Sequence, residues 1–391
     1  MRLGLVLLSV AYILSQFYRS FLAVLSDVLQ SDVGATPDAL ATASGVWFLV
    51  FALCQIPVGY ALDTIGPRRL ASVVLALGGA GGAAVFAMAQ SATGVTLAMG
   101  LIGFGCSPVL MASYYIFARQ YSAKMFATLA ATVIGVGTLG NLAGTLPLTW
   151  LAEVIGWREV LWGLAALTGV IALGLWLTVE DPPKIESDQR GSVLDLLRIP
   201  ALWLVFPVMF VNYAASGGLR AVWIGPYMRD VVGLEAQAVG TATLIMGLAM
   251  IAGTFLYAPL DRWLGTRKWV IIPGNALTAV ACFVLWAVDA PGVVLATALF
   301  CLAGAAGMSF PLIIAHGRAF APPHLVGRAV TLMNLFGIGG TGFFQLLSGR
   351  LQASVAERAS LAASYEAVFL LFACITVLGL LPYLFARDRT D

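Results

Sequence analysis

The sequence is poor in charge. Lysine, arginine, aspartate and glutamate together make up only 10% of its 391 residues, whereas hydrophobic residues make up 60%. Soluble globular domains carry about 25% charged residues, so the low share excludes a water-soluble protein of this length. The mean hydropathy of +0.94 agrees with a chain that lies mostly in lipid.

Residues that could build a catalytic or metal site are scarce as well. The five cysteines are scattered through apolar segments without paired spacing, which argues against a disulfide framework or a zinc site. The sequence contains no glycine-rich phosphate loop, no metal cluster and no nucleophile–base set in a loop. We therefore expect no enzymatic activity, no cofactor, no metal and no nucleic-acid partner.

Twelve apolar runs account for most of the chain. A bilayer core about 30 Å thick needs roughly 20 apolar residues per helix. The sequence therefore predicts an all-α membrane protein with twelve transmembrane helices in two pseudo-symmetric six-helix bundles. The first run is interpreted as a helix and not as a cleaved signal, because no small-residue cleavage site follows it. The predicted spans are 5–27, 40–62, 69–89, 94–117, 126–151, 158–178, 201–227, 237–260, 269–288, 292–316, 328–350 and 364–385.

The longest polar stretch separates the sixth span from the seventh. It predicts an N-terminal bundle at residues 1–179, a linker at 180–200 and a C-terminal bundle at 201–391. With the N-terminus inside, fifteen lysines and arginines fall on the inner side and four on the outer side, so both termini and the linker are predicted to be cytoplasmic. We expect a monomeric, multi-pass protein of the inner membrane.

The two halves match each other at an offset near 200 residues. Parallel six-helix repeats are a known transporter plan, with the substrate near the midplane between them. Several matches at a near-constant offset indicate such a duplication. The matched positions are Arg19 with Arg220, Asp63 with Asp261, Pro108 with Pro311, Gly135–Gly140 with Gly337–Gly340, and Trp157–Glu159 with Tyr365–Glu366.

A loop motif follows the second span and recurs, in degenerate form, after the eighth. The first copy reads Gly59-Tyr-Ala-Leu-Asp63-Thr-Ile-Gly66-Pro-Arg68-Arg69, and the second Leu260-Asp261-Arg262-Trp-Leu-Gly265-Thr-Arg267-Lys268. The first copy resembles Gly-x-Leu-Ala-Asp-Arg-x-Gly-Arg-Arg, the loop signature of the major facilitator superfamily. The resemblance covers the whole chain. It implies a transporter whose two halves alternately expose one central site.

The motif residues are predicted to control the conformational change. A glycine permits a very short turn, and a carboxylate at a helix end can pair with a neighbouring helix N-terminus or an arginine. Alternatively, these charges only enforce the positive-inside topology. The predicted gating residues are Gly59, Asp63, Gly66, Arg68, Arg69, Asp261, Arg262 and Arg267.

Two arginines, Arg19 and Arg220, fall at predicted membrane depth. An arginine at the bilayer centre costs at least about 2.5–3.5 kcal/mol on insertion scales, so each is expected to face a cavity and meet a partner. Alternatively, each is structural, bonded to backbone carbonyls or reaching outward to the interface. Each lies on a predicted polar stripe, made of Ser9, Tyr12, Gln16, Arg19 and Ala23 in the first span and of Tyr213, Ser216, Arg220, Trp223 and Tyr227 in the seventh.

The surroundings of Arg19 resemble one branch of the superfamily. Phe17-Tyr18-Arg19-Ser20-Phe21 is similar to the first helix of organophosphate and organic-anion facilitators, which implies an anion-binding arginine at Arg19. Trp223-Ile-Gly-Pro226-Tyr227 resembles the end of their seventh helix, although their partner arginine maps to about Gly217. The helix-two lysine and mid-bundle histidine of the phosphate-transporting members are missing, which favours a carboxylate or other monoanion. The helix-two and helix-eight arginines of nitrate carriers are missing too.

The sequence thus predicts a secondary carrier of a small organic anion. Trp223 and Tyr227 could equally belong to an interfacial aromatic belt, and interhelical bonding is an equal alternative for the other uncharged polar positions. The predicted substrate-binding residues are Arg19, Arg220, Tyr12, Gln16, Tyr213, Trp223, Tyr227, Tyr114, Asn334 and Gln345.

Two other functions stay open at this point. The glycine-rich fifth span, with Gly135 to Gly144, partly resembles the antiporter signature of drug exporters and suggests a proton-coupled multidrug or metabolite exporter. A non-transporting membrane sensor on the same fold is the second alternative. The coupling ion is not identified, because no carboxylate falls in mid-span and the two histidines, His316 and His324, fall at the inner end of the tenth span.

Overall fold

The structure is a computed structural model that describes residues 2–121, 123–182, 193–289, 291–322 and 326–390. Its regular secondary structure within these ranges is helical. The chain divides into two compact units, Met1–Glu186 and Ser187–Asp391. The predicted limits of the linker stay a prediction, because much of the segment lies outside the described ranges.

The first unit is built from helices that run almost end to end. A π-helical stretch, Leu75–Ala80, joins α4 directly to α5. The helices are α1 (Arg2–Tyr18), α2 (Ser26–Val33), α3 (Pro37–Thr64), α4 (Pro67–Val74), α5 (Gly81–Ala87), α6 (Ala92–Cys106), α7 (Val109–Gln120), α8 (Ala123–Ala143), α9 (Leu146–Ile155) and α10 (Trp157–Thr178).

The second unit repeats this arrangement after a short helix. A second π-helical stretch, Leu219–Trp223, lies between α12 and α13. The helices are α11 (Val193–Leu196), α12 (Pro200–Gly218), α13 (Ile224–Asp230), α14 (Ala236–Leu264), α15 (Lys268–Ala287), α16 (Val293–Ala306), α17 (Phe310–Arg318), α18 (Val326–Ala356) and α19 (Leu361–Tyr383).

Ten helical stretches of the described chain are long and apolar enough to cross a membrane, and they coincide with ten of the twelve predicted spans. The all-helical membrane fold is therefore confirmed. Short breaks interrupt the predicted spans 94–117 and 292–316. Of the other two predicted spans, 5–27 is helical only as far as Tyr18 before the start of α2, and 126–151 is divided between α8 and α9.

Local chemistry accounts for the breaks within 5–27 and 126–151. The first helix ends at Tyr18, where the backbone N–H and the hydroxyl of Ser20 both donate to the carbonyl of Phe17. The fifth span breaks at Gly144–Thr145, just before Pro147 in the first turn of α9. Pro147 has no N–H to donate to the carbonyl of Ala143, four residues earlier, and its ring would clash with that carbonyl, so α8 ends at Ala143 and a new helix starts.

Glycines bring two pairs of helices into backbone contact. A Cβ added to Gly140 on α8 would lie 1.9 Å from the carbonyl oxygen of Ile13 on α1. The same contact recurs in the second unit, where a Cβ added to Gly340 on α18 would lie 1.9 Å from the carbonyl oxygen of Phe210 on α12. Dense glycine in the fifth and eleventh spans thus serves close packing on the first helix of the same unit.

Candidate functional site

Arg19 lies in the turn that follows α1 and not on the helix itself. Its guanidinium carbon is 5.1 Å from the ring centroid of Trp47, 5.4 Å from that of Phe51 and 5.9 Å from that of Phe48. All three rings belong to α3. Because α1 ends at Tyr18, Ala23 does not continue the predicted polar stripe, and α3 supplies the surroundings of the arginine.

The guanidinium of Arg19 is only partly satisfied. Its Nε is buried and has no hydrogen-bond partner, and no acidic side chain among the described residues forms an ion pair with it. Cation–π contact with an aromatic face contributes about 0.5–2 kcal/mol, which leaves the directional N–H groups available. The site therefore has positive charge and spare donors.

The other predicted residues of the first unit lie nearby on α1 and α7. Tyr12 and Gln16 are buried on α1, where a Cβ added to Gly137 of α8 would meet both side chains. Tyr114 of α7 is half-buried, and its side chain lies close enough to that of Tyr12 for the two to interact electrostatically. The Oε1 atom of Gln16 is buried without a hydrogen-bond partner in the described chain. The structure thus brings these residues to one end of α1.

Arg220 occupies the corresponding place in the second unit, but in a different backbone setting. It lies within the π-helical stretch Leu219–Trp223 and is only 4% exposed. A Cβ added to Gly247 on α14 would lie 3.2 Å from its Nη2, so the guanidinium packs against that glycine. Tyr213, one of the predicted site residues, is within electrostatic range of Arg220 and its ring meets Phe310 edge-on.

Trp223 and Tyr227 lie in the core of the second unit. Trp223 is fully buried, and its indole N–H donates to Ser348 Oγ at 3.1 Å. Tyr227 is 2% exposed and packs edge-on against Phe369, with ring centroids 4.9 Å apart. Neither contact suits an exposed interfacial belt. A role of either residue in substrate binding stays a prediction.

Gln345 and Asn334 lie on α18. Gln345 is completely buried, and neither polar atom of its amide has a hydrogen-bond partner within the described chain. A Cβ added to Gly218 would lie 2.8 Å from its Nε2, which places the amide beside the end of α12. Asn334 is half-buried, two turns before Thr341 on the same helix. A buried amide without partners is costly, which makes Gln345 the stronger candidate of the two.

A buried polar cluster in the second unit lies outside the predicted substrate-binding residues. Asn212 of α12 donates to Asn275 Oδ1 at 2.8 Å and to Ser309 Oγ at 3.0 Å. Asn275 of α15 also donates to Ser309 Oγ, at 3.1 Å. These bonds join three helical segments at the break between α16 and α17, so the cluster acts as interhelical bonding.

The first loop motif builds a helix cap. Gly66, with φ of 96°, turns the chain so that α4 begins at Pro67. The backbone N–H of Arg68 donates to Asp181 Oδ1 at 2.8 Å, and its Nε lies 3.8 Å from Asp181 Oδ2. The carboxylate after α10 thus caps the N-terminus of α4, where the helix dipole favours negative charge.

The remaining residues of this motif contribute less to the cap. Arg69 is exposed, and a Cβ added to the exposed Gly59 meets no described atom within 4 Å. The side chain of Asp63 lies outside the described part of the structure. The gating role of all of these residues stays a prediction.

The second unit forms the equivalent cap with a different residue. Asp388, beyond α19, accepts from the backbone N–H groups of Arg267 at 3.1 Å and of Lys268 at 3.0 Å, and from the Thr266 hydroxyl. Arg267 also pairs with Asp261, with 3.4 Å between Nε and Oδ2. The side chain of Arg262 lies outside the described residues.

The cap at Asp388 predicts a pH-dependent contribution to stability. Burial alone would raise the pKa of Asp388, but the bonds from Thr266, Lys268 and Arg267 outweigh it and hold the pKa below its usual value. A depressed folded pKa means that the carboxylate stabilises the fold above about pH 4, and that this contribution is lost as the pH falls through the folded value.

We expect Asp388→Ala to cost about 1 kcal/mol at pH 7, the usual worth of an N-terminal cap. Thermal unfolding of the detergent-solubilised protein at a series of pH values measures it, and the difference from wild type should shrink below about pH 4. Glu357→Ala, at an exposed position, is the control. An Asp388→Ala variant as stable as wild type at pH 7 would contradict the capping role.

The sequence missed both cap residues. Asp181 falls in the predicted linker and Asp388 beyond the last predicted span, and each is more than 100 residues from the turn that it caps. The sequence feature that could have identified them is their equivalent position in the two halves, because each aspartate follows the last helix of its half by a few residues.

Comparisons with known proteins agree with this architecture. The family model of the Major Facilitator Superfamily matches residues 8–221 and again 205–391. A crystal structure of a bacterial homologue of the human lysosomal transporter Spinster superimposes with a TM-score of 0.76 at 19% identity, covering 99% of this chain and 98% of that one.

Several curated relatives carry substrate names, including the following two. The D-galactonate transporter of Escherichia coli O6:H1 is 27% identical over 50% of this chain and 45% of its own length. The protein named probable nitrate transporter NarT, of Staphylococcus epidermidis, is 22% identical over 92% of each chain. The chain spans about half the length of the first curated relatives it matches.

The family model covers both halves of the chain, and the fold matches a solved transporter over almost its full length. This is a family of small-molecule transporters and not of enzymes. The chain is a multi-pass membrane transporter that belongs to the Major Facilitator Superfamily.

Proposed function

We propose that this transporter carries a small organic anion of the carboxylate type across the inner membrane by alternating access, with both termini in the cytoplasm. The observation that carries the proposal is Arg19, whose buried Nε lacks a hydrogen-bond partner and which has no acidic partner among the described residues. Arg19 is half-buried, and a cation withdrawn from water is expensive unless it is paired. A visiting anion would be that pair.

Arg220 is proposed as the second anion-binding residue. It is the repeat-related arginine of the other unit, and it is only 4% exposed. Its packing against Gly247 fixes the guanidinium. Gln345, with an unpartnered buried amide, is proposed to contribute a neutral contact in the same unit.

The caps at Asp181 and Asp388 are proposed to take part in the conformational change. The ion pair between Arg68 and Asp181 is about one-third exposed on both sides and 3.8 Å long, so it contributes little energy and can open readily. The proposed role is to favour one conformation of the loop between α3 and α4, and of its copy in the second unit.

Nitrate transport is a second candidate, favoured by the full-length relationship to NarT. Both named relatives are transporters of anions, which is consistent with the proposal on Arg19. Organic anions that carry a donor such as a hydroxyl are favoured over nitrate, because the surroundings of Arg19 also offer a buried amide acceptor at Gln16, which nitrate has no hydrogen to satisfy.

Uptake into proteoliposomes tests the proposed function. We expect saturable uptake of labelled carboxylates that other carboxylates inhibit and that tetraphenylphosphonium, a lipophilic cation, does not. Uptake driven by imposed pH gradients of either sign identifies any proton coupling. Transport of lipophilic cations alone would support the exporter, nitrate uptake without carboxylate uptake would support the second candidate, and no transport of any probe would favour the sensor.

A further inference from the structure

Three buried polar atoms around the end of α1 lack hydrogen-bond partners within the described chain. They are the Nε of Arg19, the indole Nε1 of Trp47 and the Oε1 of Gln16. Trp47 is 0% exposed and Gln16 is 8% exposed. Buried polar groups are nearly always paired, so three such atoms in one region make a candidate site for a polar ligand.

The contacts hold these residues near one another. The guanidinium carbon of Arg19 is 5.1 Å from the centroid of the Trp47 ring. Trp47 stacks on Phe51, with centroids 5.1 Å apart and an interplanar angle of 14°, so its ring cannot turn freely. Gln16 lies in the last turn of α1, and Arg19 follows it by three residues, in the turn that begins where the helix ends at Tyr18.

The chemistry of the three atoms defines a ligand. Arginine and the tryptophan indole only donate, so their N–H groups need acceptors, and the two oxygens of a carboxylate supply them. The Gln16 oxygen needs a donor. If the amide oxygen and nitrogen of Gln16 are exchanged, the atom at this position is a donor instead. A hydroxyl can pair with the amide in either orientation, because a hydroxyl both donates and accepts. A carboxylate alone leaves this third group unsatisfied.

We propose that Trp47 and Gln16, together with Arg19, form a three-point site for a 2-hydroxycarboxylate. The carboxylate accepts from Arg19 and Trp47, and the neighbouring hydroxyl bonds to Gln16. This inference rests on the proposed function and narrows it from carboxylates to hydroxy acids. Gly137 supports the site, because α8 packs there directly against Tyr12 and Gln16 and limits the movement of the amide.

Binding of matched acids to the purified protein in nanodiscs tests the site. L-malate and D-malate each differ from succinate by a single 2-hydroxyl, and lactate differs from propionate in the same way. We expect at least one hydroxy acid to bind about 10-fold more tightly than its deoxy partner, the usual worth of one such hydrogen bond. Gln16→Leu should reduce this ratio to near one while changing the affinity for the deoxy acid by less than about twofold.

Trp47→Phe should act differently. It removes a donor to the carboxylate, so it should weaken hydroxy and deoxy acids alike by roughly 10-fold and leave their ratio unchanged. Trp162→Phe, at an exposed position on α10, and Gln237→Leu, at an exposed position on α14, are the matched controls. The unliganded melting temperature shows whether each variant has folded, and the Gln16→Leu ratio tests the site even if Trp47→Phe does not fold.

The outcomes separate this inference from the proposed function. Equal binding of hydroxy and deoxy acids, both lost in Arg19→Gln, would overturn the three-point site and leave the anion carrier intact. A hydroxyl preference that survives Gln16→Leu would likewise overturn it. Binding of none of these acids by the wild type would contradict the carboxylate proposal, and this inference with it.

Discussion

Replacing Arg19 with glutamine is expected to lower carboxylate uptake by about 100-fold or more. Truncating one partner of a buried, hydrogen-bonded charge pair typically costs 2–5 kcal/mol, which corresponds to roughly 30- to 5000-fold. The half-buried side chain lies beside the rings of Trp47, Phe48 and Phe51, so water replaces the lost charge only in part. Initial rates of uptake into proteoliposomes measure the effect.

The melting temperature of Arg19→Gln, unlike its uptake rate, should not fall. The unliganded protein holds a buried Nε without a partner, so removing it should leave the melting temperature unchanged or raise it. Sites kept for function are often less stable than they could be. Arg358→Gln, at an exposed position, is the control and should transport normally. Normal uptake by Arg19→Gln, or a large loss of stability, would contradict the anion-binding role.

Replacing Gly140 with alanine should destabilise the first unit by about 3 kcal/mol, the upper end of the usual cost of overpacking. The added Cβ would lie 1.9 Å from the carbonyl oxygen of Ile13 and 2.9 Å from the backbone nitrogen of Phe17. Both obstacles are backbone atoms, which no rotamer change can move. The helices α1 and α8 must therefore separate.

Gly135 on the same helix provides a close control. A Cβ added there meets no described atom within 4 Å, so Gly135→Ala should be neutral or stabilising by up to about 1 kcal/mol, the difference in helix propensity. Thermal unfolding in detergent compares the two variants. Equal stabilities of Gly135→Ala and Gly140→Ala would contradict the backbone contact between α1 and α8.

The membrane spans could be predicted because lipid imposes a simple rule. Every spanning segment must be apolar and satisfy its own backbone hydrogen bonds, so hydropathy located ten helical stretches to within a few residues. The breaks within 5–27 and 126–151 escaped this rule. Hydropathy does not register a competing bond from Ser20, or the N–H that Pro147 lacks.

The surroundings of the two arginines were less predictable. A helical wheel assumes 3.6 residues per turn, but Arg220 lies in a π-helical stretch, where the extra residue rotates the side chains that follow. Trp223 therefore turns into the core and bonds to Ser348. In the first unit the sequence found Arg19 and Gln16 but not Trp47, because Trp47 comes from α3 and its unpaired N–H is visible only in the folded structure.

The caps formed by Asp181 and Asp388 bear on how the protein is made. Asp181 follows Arg68 by 113 residues, and Asp388 follows Arg267 by 121. At synthesis rates of about 5–20 residues per second, the turn before α4 waits roughly 6–23 s for its carboxylate to leave the ribosome. Each half of the nascent chain can thus close its own cap only after its last helix has been synthesised, and the first cap can form well before the second half is complete.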